Sequence, residues 1–514
     1  MISTVDALVV PGLTESESAY LNKAIEQLRK VSPRNTLREN YYDAEAVIRH
    51  LGIAIPPQLQ HVSSVVGWPA KAVNVLDHRL NLSGFRTPDG SSPEGLDVIL
   101  DENRIEIEAS QAHITALKFG CSFVAVTAGD TLAGEPEVVI RNLSPRSSTA
   151  LWDRNKRRAV AALSIIEWDY GYPTQFVLLT DEAVIDAQFE RGRWVIDRRS
   201  HNLRRCPVAV LPFQPSVERP LGRSRITRPV MAITDRVIRT LLRVEVGGEF
   251  YTAPRSVLLG ADESQFEGAP AWATYLSKLQ VIPLNEADGV PQLESLPQMS
   301  MQPHIEALRA DAGLFTGETD IPVHLLGIIH DNPASDAAMH TTYLELNKTA
   351  ERATAPLGAG WVDVARMALS IQRGMSGPPD DLGQLRATFR DPSTPTLAAS
   401  ADATFKLIQA GVLPAESEVA LERLGFDEGQ IERIKSERAR AAGSGLLDKL
   451  TAAQPGAQGE DLKAKFDALG VAIRAGVSPE SAAAMLGLQG VDFTGAIPSS
   501  LRVPEDEAAK LEES

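Results

Sequence analysis

The stretch Ser224-Arg-Ile-Thr-Arg-Pro-Val-Met-Ala-Ile-Thr-Asp-Arg-Val-Ile-Arg-Thr-Leu-Leu-Arg-Val-Glu-Val-Gly-Gly248 decides how the rest of the chain is read. Ile226, Val230, Ile233, Val237, Leu241 and Val244 recur at spacings of four and three, which gathers them on one face of a helix. Arg225, Arg228, Arg236, Arg239 and Arg243 fall mostly beside or opposite that stripe, with Glu245 the one acid near the end. Gly222 precedes the pattern and Gly247-Gly248 close it, so the spacing predicts a helix of roughly two dozen residues opening near Ser224. An apolar seam with arginines on the other faces suits a rod that packs beside other helices.

On the N-terminal side, residues 13–30 read as a helix, with Thr14 and Glu17 in the capping-box pattern, and residues 36–51 as another that carries Tyr41-Tyr42. The apolar run from Val62 to Leu82 leads into Ser83-Gly84-Phe85-Arg86. Leu96 to Phe119 has a helical pattern that Gly120 stops, and Ser122 to Thr127 opens a strand. Short β-favouring runs follow at Glu137–Ile140, Ala159–Trp168, Gln175–Leu179 and Arg193–Ile196, separated by turn residues. This predicts an antiparallel meander packed against helices, an α+β arrangement.

On the C-terminal side, residues 249–298 read as a small α/β insertion, with strands at Arg255–Leu259 and Leu279–Leu284 around a helix at Ala271–Lys278. A helix near Pro303 to Phe315 comes next, then an irregular segment, 316–335. Ser335 caps a long helix with Met339, Tyr343, Leu346 and Ala350 on its apolar face. Pro356, Gly358 and Gly360 interrupt that pattern and predict a kink. Beyond Pro395 the chain is alanine-rich, and the pattern Gln409–Gly425 is echoed by Arg474–Gly487, each copy reading as a helical hairpin. Ala439 to Gly459 reads as a linker and Pro504 to Ser514 as an acidic disordered tail.

With 514 residues the chain holds several cores. No apolar run is long enough to span a bilayer and the N-terminus lacks a signal-peptide pattern, so no membrane association is expected. Cys121 and Cys206 are the only cysteines and are expected to be reduced and buried. The formal charge of −16 excludes a general DNA binder, which needs a basic footprint, but suits a wall past which a duplex slides. The arginines of 225–243 are therefore read as inter-subunit ion pairs and solvated positions before direct phosphate contacts.

No phosphate-binding loop, Cys-x-x-Cys, His-Glu-x-x-His or nucleophile elbow occurs, and no catalytic constellation is found. Four of the nine histidines, His304, His324, His330 and His340, cluster with Asp320 and Asp331. Their spacings fit no standard metal site, so no metal or other cofactor is expected.

Taken in order, several segments resemble the portal proteins of tailed bacteriophages, in the siphophage version, over about residues 20–440. They are the early tyrosine-bearing helix and Ser83-Gly84-Phe85, then Cys206-Pro-Val-Ala-Val-Leu-Pro-Phe213 leading through Gly222-Arg-Ser224 to Asp235-Arg236. Ile321-Pro322, Leu326-Gly327, Asn332 and Ser335-Asp336-Ala337-Ala338 follow, then Phe389-Arg390-Asp391-Pro392, Ala401-Asp402-Ala403 and Leu424-Gly425. Residues after about 445 lie outside the match.

The resemblance implies a wing at 1–221, stem helices at 222–248 and 299–315, and a clip at 249–298. It further implies a tunnel loop at 316–335, a kinked wing helix and return segment at 336–390, and crown helices at 391–445. The second hairpin and tail fill 446–514. It implies a dodecameric ring at one capsid vertex of the virion, assembled in host cytoplasm. Double-stranded DNA is packaged and ejected through that ring, with the terminase large subunit, the major capsid protein and a head-tail adaptor as partners and no enzymatic activity of its own. Ile329, His330, Asp331 and Asn332 are then the tunnel-loop tip nearest DNA. Arg225, Arg228, Arg236, Arg239 and Arg243 are stem positions facing a neighbouring subunit or the channel. A head-tail or scaffold-like structural protein without a DNA channel is the alternative.

Overall fold

The computed structural model describes residues 7–46, 64–169, 171–251, 256–259, 279–282, 292–295, 300–328, 336–377, 382–393, 397–426, 429–440, 459–474, 477–488 and 491. Two compact units result, Met1–Ser393 and Thr394–Ser514.

The first unit opens with α1, Glu15–Tyr42, whose start is the predicted capping box. Glu17 N donates to Thr14 Oγ1 at 3.3 Å and Thr14 N to Glu17 Oε2 at 2.8 Å. The two early helices expected from the pattern are one. Pro33 sits inside α1 at an exposed position, where its ring meets solvent rather than core. α2 (Trp68–Asp77) and β1 (Leu82–Arg86) follow. The single helix expected over Leu96 to Phe119 is split into α3 (Leu96–Glu102) and α4 (Ile105–Phe119), because Arg104 takes a left-handed φ of 50°. Gly120, at φ 110°, ends α4 as expected.

Next, β2 (Cys121–Ala128) and β3 (Val138–Leu143) lead into β4 (Ser148–Asp153), β5 (Arg158–Asp169), β6 (Tyr172–Leu179), β7 (Ala183–Glu190) and β8 (Arg193–Ser200). The last five form the expected antiparallel meander in sequential order. β9 (Val208–Pro212) returns to pair antiparallel with β2, giving the separate order β3-β2-β9. Leu21, Leu28, Phe176 and Leu178 fill the space between α1 and the meander. Cys121 and Cys206 are buried and free of any disulfide, as expected, and burial pushes both thiols up to about 12.

α5 spans Arg228–Tyr251. It begins one turn later than the apolar pattern and runs through Gly247-Gly248, which therefore do not end it. Thr227 Oγ1 accepts from Val230 N at 3.4 Å and Pro229 occupies the first turn, which together set the start. Beyond it, β10 (Ser256–Leu259) pairs parallel with β11 (Leu279–Ile282) and antiparallel with β12 (Gln292–Ser295). The helix expected at Ala271–Lys278 lies outside the described residues. α6 runs Gln302–Thr319, so the irregular segment expected from 316 starts only after Thr319.

The long helix α7 covers Asp336–Gln372 with Pro356 inside it. Ser335 lies outside the described residues. Gly358 and Gly360 do not interrupt α7; they let it press against its neighbours. A Cβ at Gly360 would sit 2.7 Å from Val210 O of β9, and one at Gly358 would sit 3.2 Å from Phe389. β13 (Arg386–Phe389) then pairs antiparallel with β1. Trp361, Phe85, Phe315 and Leu357 anchor the largest core, which joins α2, α4, α5, α6 and α7 to β2 and β9.

In the second unit, α8 (Leu397–Gln409) and α9 (Glu418–Arg423) form the first hairpin, and residues 429–440 are also helical. α10 (Gly459–Arg474) and α11 (Pro479–Met485) form the second, so both copies of the repeat fold as helix, turn, helix. Ser417 and Ser478 are the N-caps. The expected linker is helical up to 440, and its remainder to 458 and the acidic tail lie outside the described residues.

Candidate DNA-channel elements

α5 enters through a close crossing of three chain segments. Phe213 N donates to Gly120 O at 2.8 Å, Arg223 N to Phe213 O at 2.7 Å and Arg225 N to Leu117 O at 2.8 Å. Gly222 takes φ 82°, and a Cβ there would lie 2.2 Å from Gly120 O and 2.4 Å from Phe213 O. Ser224 Oγ donates to Lys118 O at 2.6 Å. The glycine and serine of the Gly222-Arg-Ser224 motif are thus residues that fix the chain before α5 on the end of α4 and of β9.

Along α5 the predicted seam is buried at Ile226, Val230, Ile233 and Val237. Leu241 and Val244 are half-buried instead, while Leu242 and Val246 are covered, so the buried face rotates around the helix over its last turns. α6 packs antiparallel to α5. Thr227 Oγ1 donates to Glu318 Oε1 at 2.8 Å near one end, and Arg236 Nε meets Asp311 Oδ1 at 2.7 Å further along. At about 1.5 Å per residue the α5 rod is about 36 Å long.

The five arginines do not behave alike. Arg225 is a correction to the expected set, since it precedes the helix and is 7% exposed. Its Nε donates to Ala72 O of α2 and its Nη2 to Thr319 O, the last carbonyl of α6. Burial pulls it down to about 10, opposed by Asp320, so it is still charged at neutral pH and faces neither solvent nor another subunit. Arg236 is exposed along one side but tied to buried Asp311 within its own chain. Arg228 and Arg243 are exposed and Arg239 is half-buried. Among the described residues none of these three has a carboxylate within 4.0 Å. On the opposite flank Tyr41 OH donates to Asp235 Oδ1 at 2.7 Å, and burial, with the Asp235 carboxylate, holds that phenol well above its ordinary value.

From Thr319 onward the chain is pinned on two sides. Asp320 takes a left-handed φ of 58° and its Oδ2 accepts from Thr349 Oγ1 of α7 at 3.0 Å. Residues Val323–Leu326 make one 3-10 turn, in which His324 Nε2 lies 2.8 Å from Tyr343 OH of α7. Lys71 of α2 donates to Leu325 O. Arg79 ties the same region together, with its Nη1 at 2.7 Å from Asn347 Oδ1 and its guanidinium 4.9 Å over the Tyr343 ring. Gly327, at φ 85°, ends the turn and Ile328 packs on the core. The expected tip residues Ile329, His330, Asp331 and Asn332 lie outside the described residues. What is described is an anchored base that runs up to them.

Asp311 and Arg79 did not stand out in the sequence, and Asp320 did so only beside the histidines, not as a partner of Thr349. Among the described residues no three His, Cys, Asp or Glu side chains meet as a metal set, and no helix is long and apolar enough to cross a membrane. His330, Asp331 and the side chain of His340 fall outside that statement.

The site is thus a pair of antiparallel helices with an anchored loop base, carried on an α+β body. The family profile described as "Phage portal protein, SPP1 Gp6-like" matches residues 21–444, and the chain belongs to that family. It is similar to the portal protein of Mycobacterium phage D29, with 28% identity over 438 residues, 82% of this chain and 89% of that one. The portal protein of Mycobacterium phage L5 is 27% identical over 468 residues, 87% of this chain and 94% of that one. Among solved structures, a chain in the neck of a native gene transfer agent particle, computed with C12 symmetry, matches at 12% identity and a TM-score of 0.39. That match covers 70% of this chain and 90% of the other.

Proposed function

We propose that copies of this chain form a ring, dodecameric by family, at one vertex of a phage capsid, and that double-stranded DNA passes through it during packaging and ejection. In this reading α5 and α6 are the stem, residues 249–298 the clip, and Ile329 to Asn332 the tip of a tunnel loop at the channel wall. Terminase large subunit, major capsid protein and a head-tail adaptor are the partners, met in the host cytoplasm before the ring is sealed into the virion. The observation that carries this reading is the family match over 21–444. The α5–α6 pair supports it: one face is spent on the chain's own core, and Arg228, Arg239 and Arg243 are left for a neighbour. An overall charge of −16 suits a conduit that does not grip the duplex.

Symmetry-resolved electron microscopy of the purified protein tests it. Annular particles with a hole wide enough for a duplex are expected. Solid or monomeric particles at high concentration would instead favour a head-tail structural role without a channel.

A further inference from the structure

β8 is the last strand of the meander, and among the described residues no strand pairs along its other side. The two-residue turn Arg191-Gly192, with φ of 50° and 83°, joins it to β7 as a tight hairpin. Arg193 lies opposite Glu190 beside that turn, and His201 N donates to Glu182 O at 3.0 Å just past the strand, so the odd-numbered residues of β8 bond to β7. The N–H and C=O of Trp194, Ile196, Arg198 and Ser200 therefore face outward, and no backbone hydrogen bond reaches them among the described residues.

At the C-terminal end of this edge, beside Ser200, lies an apolar cavity of about 260 Å³. Val126, Val184, Leu203 and Ile371 wall it, with Arg199 and Met375. Met375 is 42% exposed, so the cavity opens to solvent. A cavity of about 150 Å³ already holds a benzene ring, so this one has room for a large apolar side chain. The other end of the edge is basic. Arg198 is taken up by Glu17 at 2.6 Å and Arg199 comes within 3.7 Å of Asp197, which itself lies opposite Asp186. Arg191 and Arg193, at the turn, have no carboxylate within 4.0 Å among the described residues. Charges on an edge strand also guard against sheet-to-sheet pairing, but a guard gives no reason for an apolar cavity at the strand's end. A second β8 fits badly here, because antiparallel pairing would set its turn arginines beside the apolar cavity.

We propose that β8 receives an extended segment of a partner protein as a further antiparallel strand. An apolar side chain near the segment's N-terminal end fills the cavity, and acidic residues near its C-terminal end meet Arg191 and Arg193. Every part of this site belongs to one chain, so it does not depend on ring formation.

Calorimetric titration of the full-length protein with the acetylated peptide Phe-Thr-Val-Thr-Val-Glu-Glu-Glu tests it. Saturable binding is expected, at least tenfold weaker when the peptide's Phe is replaced by Gly and absent when its three Glu are replaced by Lys. Ser200→Pro removes one outward N–H and leaves the bonds to β7 untouched, so it should weaken binding at least tenfold, and Arg193→Glu several-fold. Absence of binding, or equal binding of the Lys peptide, overturns the proposal. So does a Ser200→Pro protein, folded by circular dichroism, that binds as the parent does. Native mass spectrometry in which Ser200→Pro breaks the parent's oligomer would also overturn it, by assigning the edge to a contact between copies.

Discussion

Arg225 donates to Thr319 O, so a residue three positions before α5 holds the last carbonyl of α6. Through its second bond, to Ala72 O, it also ties that point to α2. One buried cation therefore clamps the start of the base of the proposed tunnel loop, beside the contacts from α2 and α7 that hold the rest. Arg225→Met leaves two buried carbonyls without donors, each costing about 1–3 kcal/mol, and recovers part of that by removing a buried charge. A net loss of about 2 kcal/mol is expected, read as a lower urea midpoint with an unchanged slope. An unchanged midpoint would mean that water replaces the guanidinium and that the clamp carries no weight.

Arg236 and Arg239 lie three residues apart on α5 but are expected to respond differently. Arg236→Glu places a carboxylate against buried Asp311, so it should weaken the α5–α6 pair within each chain by about 3 kcal/mol. Arg239 has no carboxylate within 4.0 Å among the described residues, so Arg239→Glu should leave folding nearly unaffected while subunit association weakens or ring size shifts. Thermal unfolding and native mass spectrometry on both variants separate the two effects. Rings of unchanged size and stability in Arg239→Glu would remove that residue from the proposed interface.

Much of the fold was legible because periodicity and caps act locally. The Thr14–Glu17 box, the Gly120 stop, the meander and the Ile226–Val237 seam all follow from neighbours in sequence. The failures were tertiary. Pro33 stays inside a helix, Gly247-Gly248 do not stop α5, and Gly360 marks a close approach to β9. At the site, arginine spacing alone could not separate buried Arg225 from exposed Arg228, because the distinction depends on carbonyls of α2 and α6 that lie far away in sequence.

Shortening 328–333 tests the proposed tunnel loop. Because Asp320, His324 and Leu325 are anchored by Thr349, Tyr343 and Lys71, the deletion should leave the base and the assembly intact. Rings of normal mass that package or retain less DNA are expected. A normal yield of packaged genomes would remove the loop from the channel.

Gly360 sits where α7 crosses β9, and an added methyl group would meet Val210 O at 2.7 Å and Leu211 at 2.9 Å. Backbone cannot move aside as a side-chain tip can. Although alanine is the better helix former by about 1 kcal/mol, Gly360→Ala should still destabilise by about 1–3 kcal/mol. Gly313→Ala, with open space around its Cβ position on α6, should show the opposite sign. Paired denaturant curves check both, and equal gains in the two variants would show that α7 has room to shift.

Two carboxyls should move stability with pH in opposite directions. For Glu17, burial opposes ionisation, but the hydrogen bonds from Arg198 at 2.6 and 2.7 Å and from Thr14 outweigh it and hold the pKa below its ordinary value. Its contribution is present above the unfolded carboxylate range and is lost as pH falls through the lowered folded value. Glu17→Gln should therefore be less stable than the parent at pH 7, with the gap closing below pH 4. For Asp77, burial lifts the pKa from 3.8 to about 6, against the Ser110 hydrogen bond and His78. A raised folded value contributes stability below the unfolded pKa that is lost as pH rises through about 6, a swing of about 3 kcal/mol. Asp77→Asn should therefore gain on the parent between pH 4 and pH 7, while Glu17→Gln falls behind it. Melting curves of the three proteins across that interval check the signs, and parallel curves for parent and Asp77→Asn would show that Asp77 reaches water when ionised.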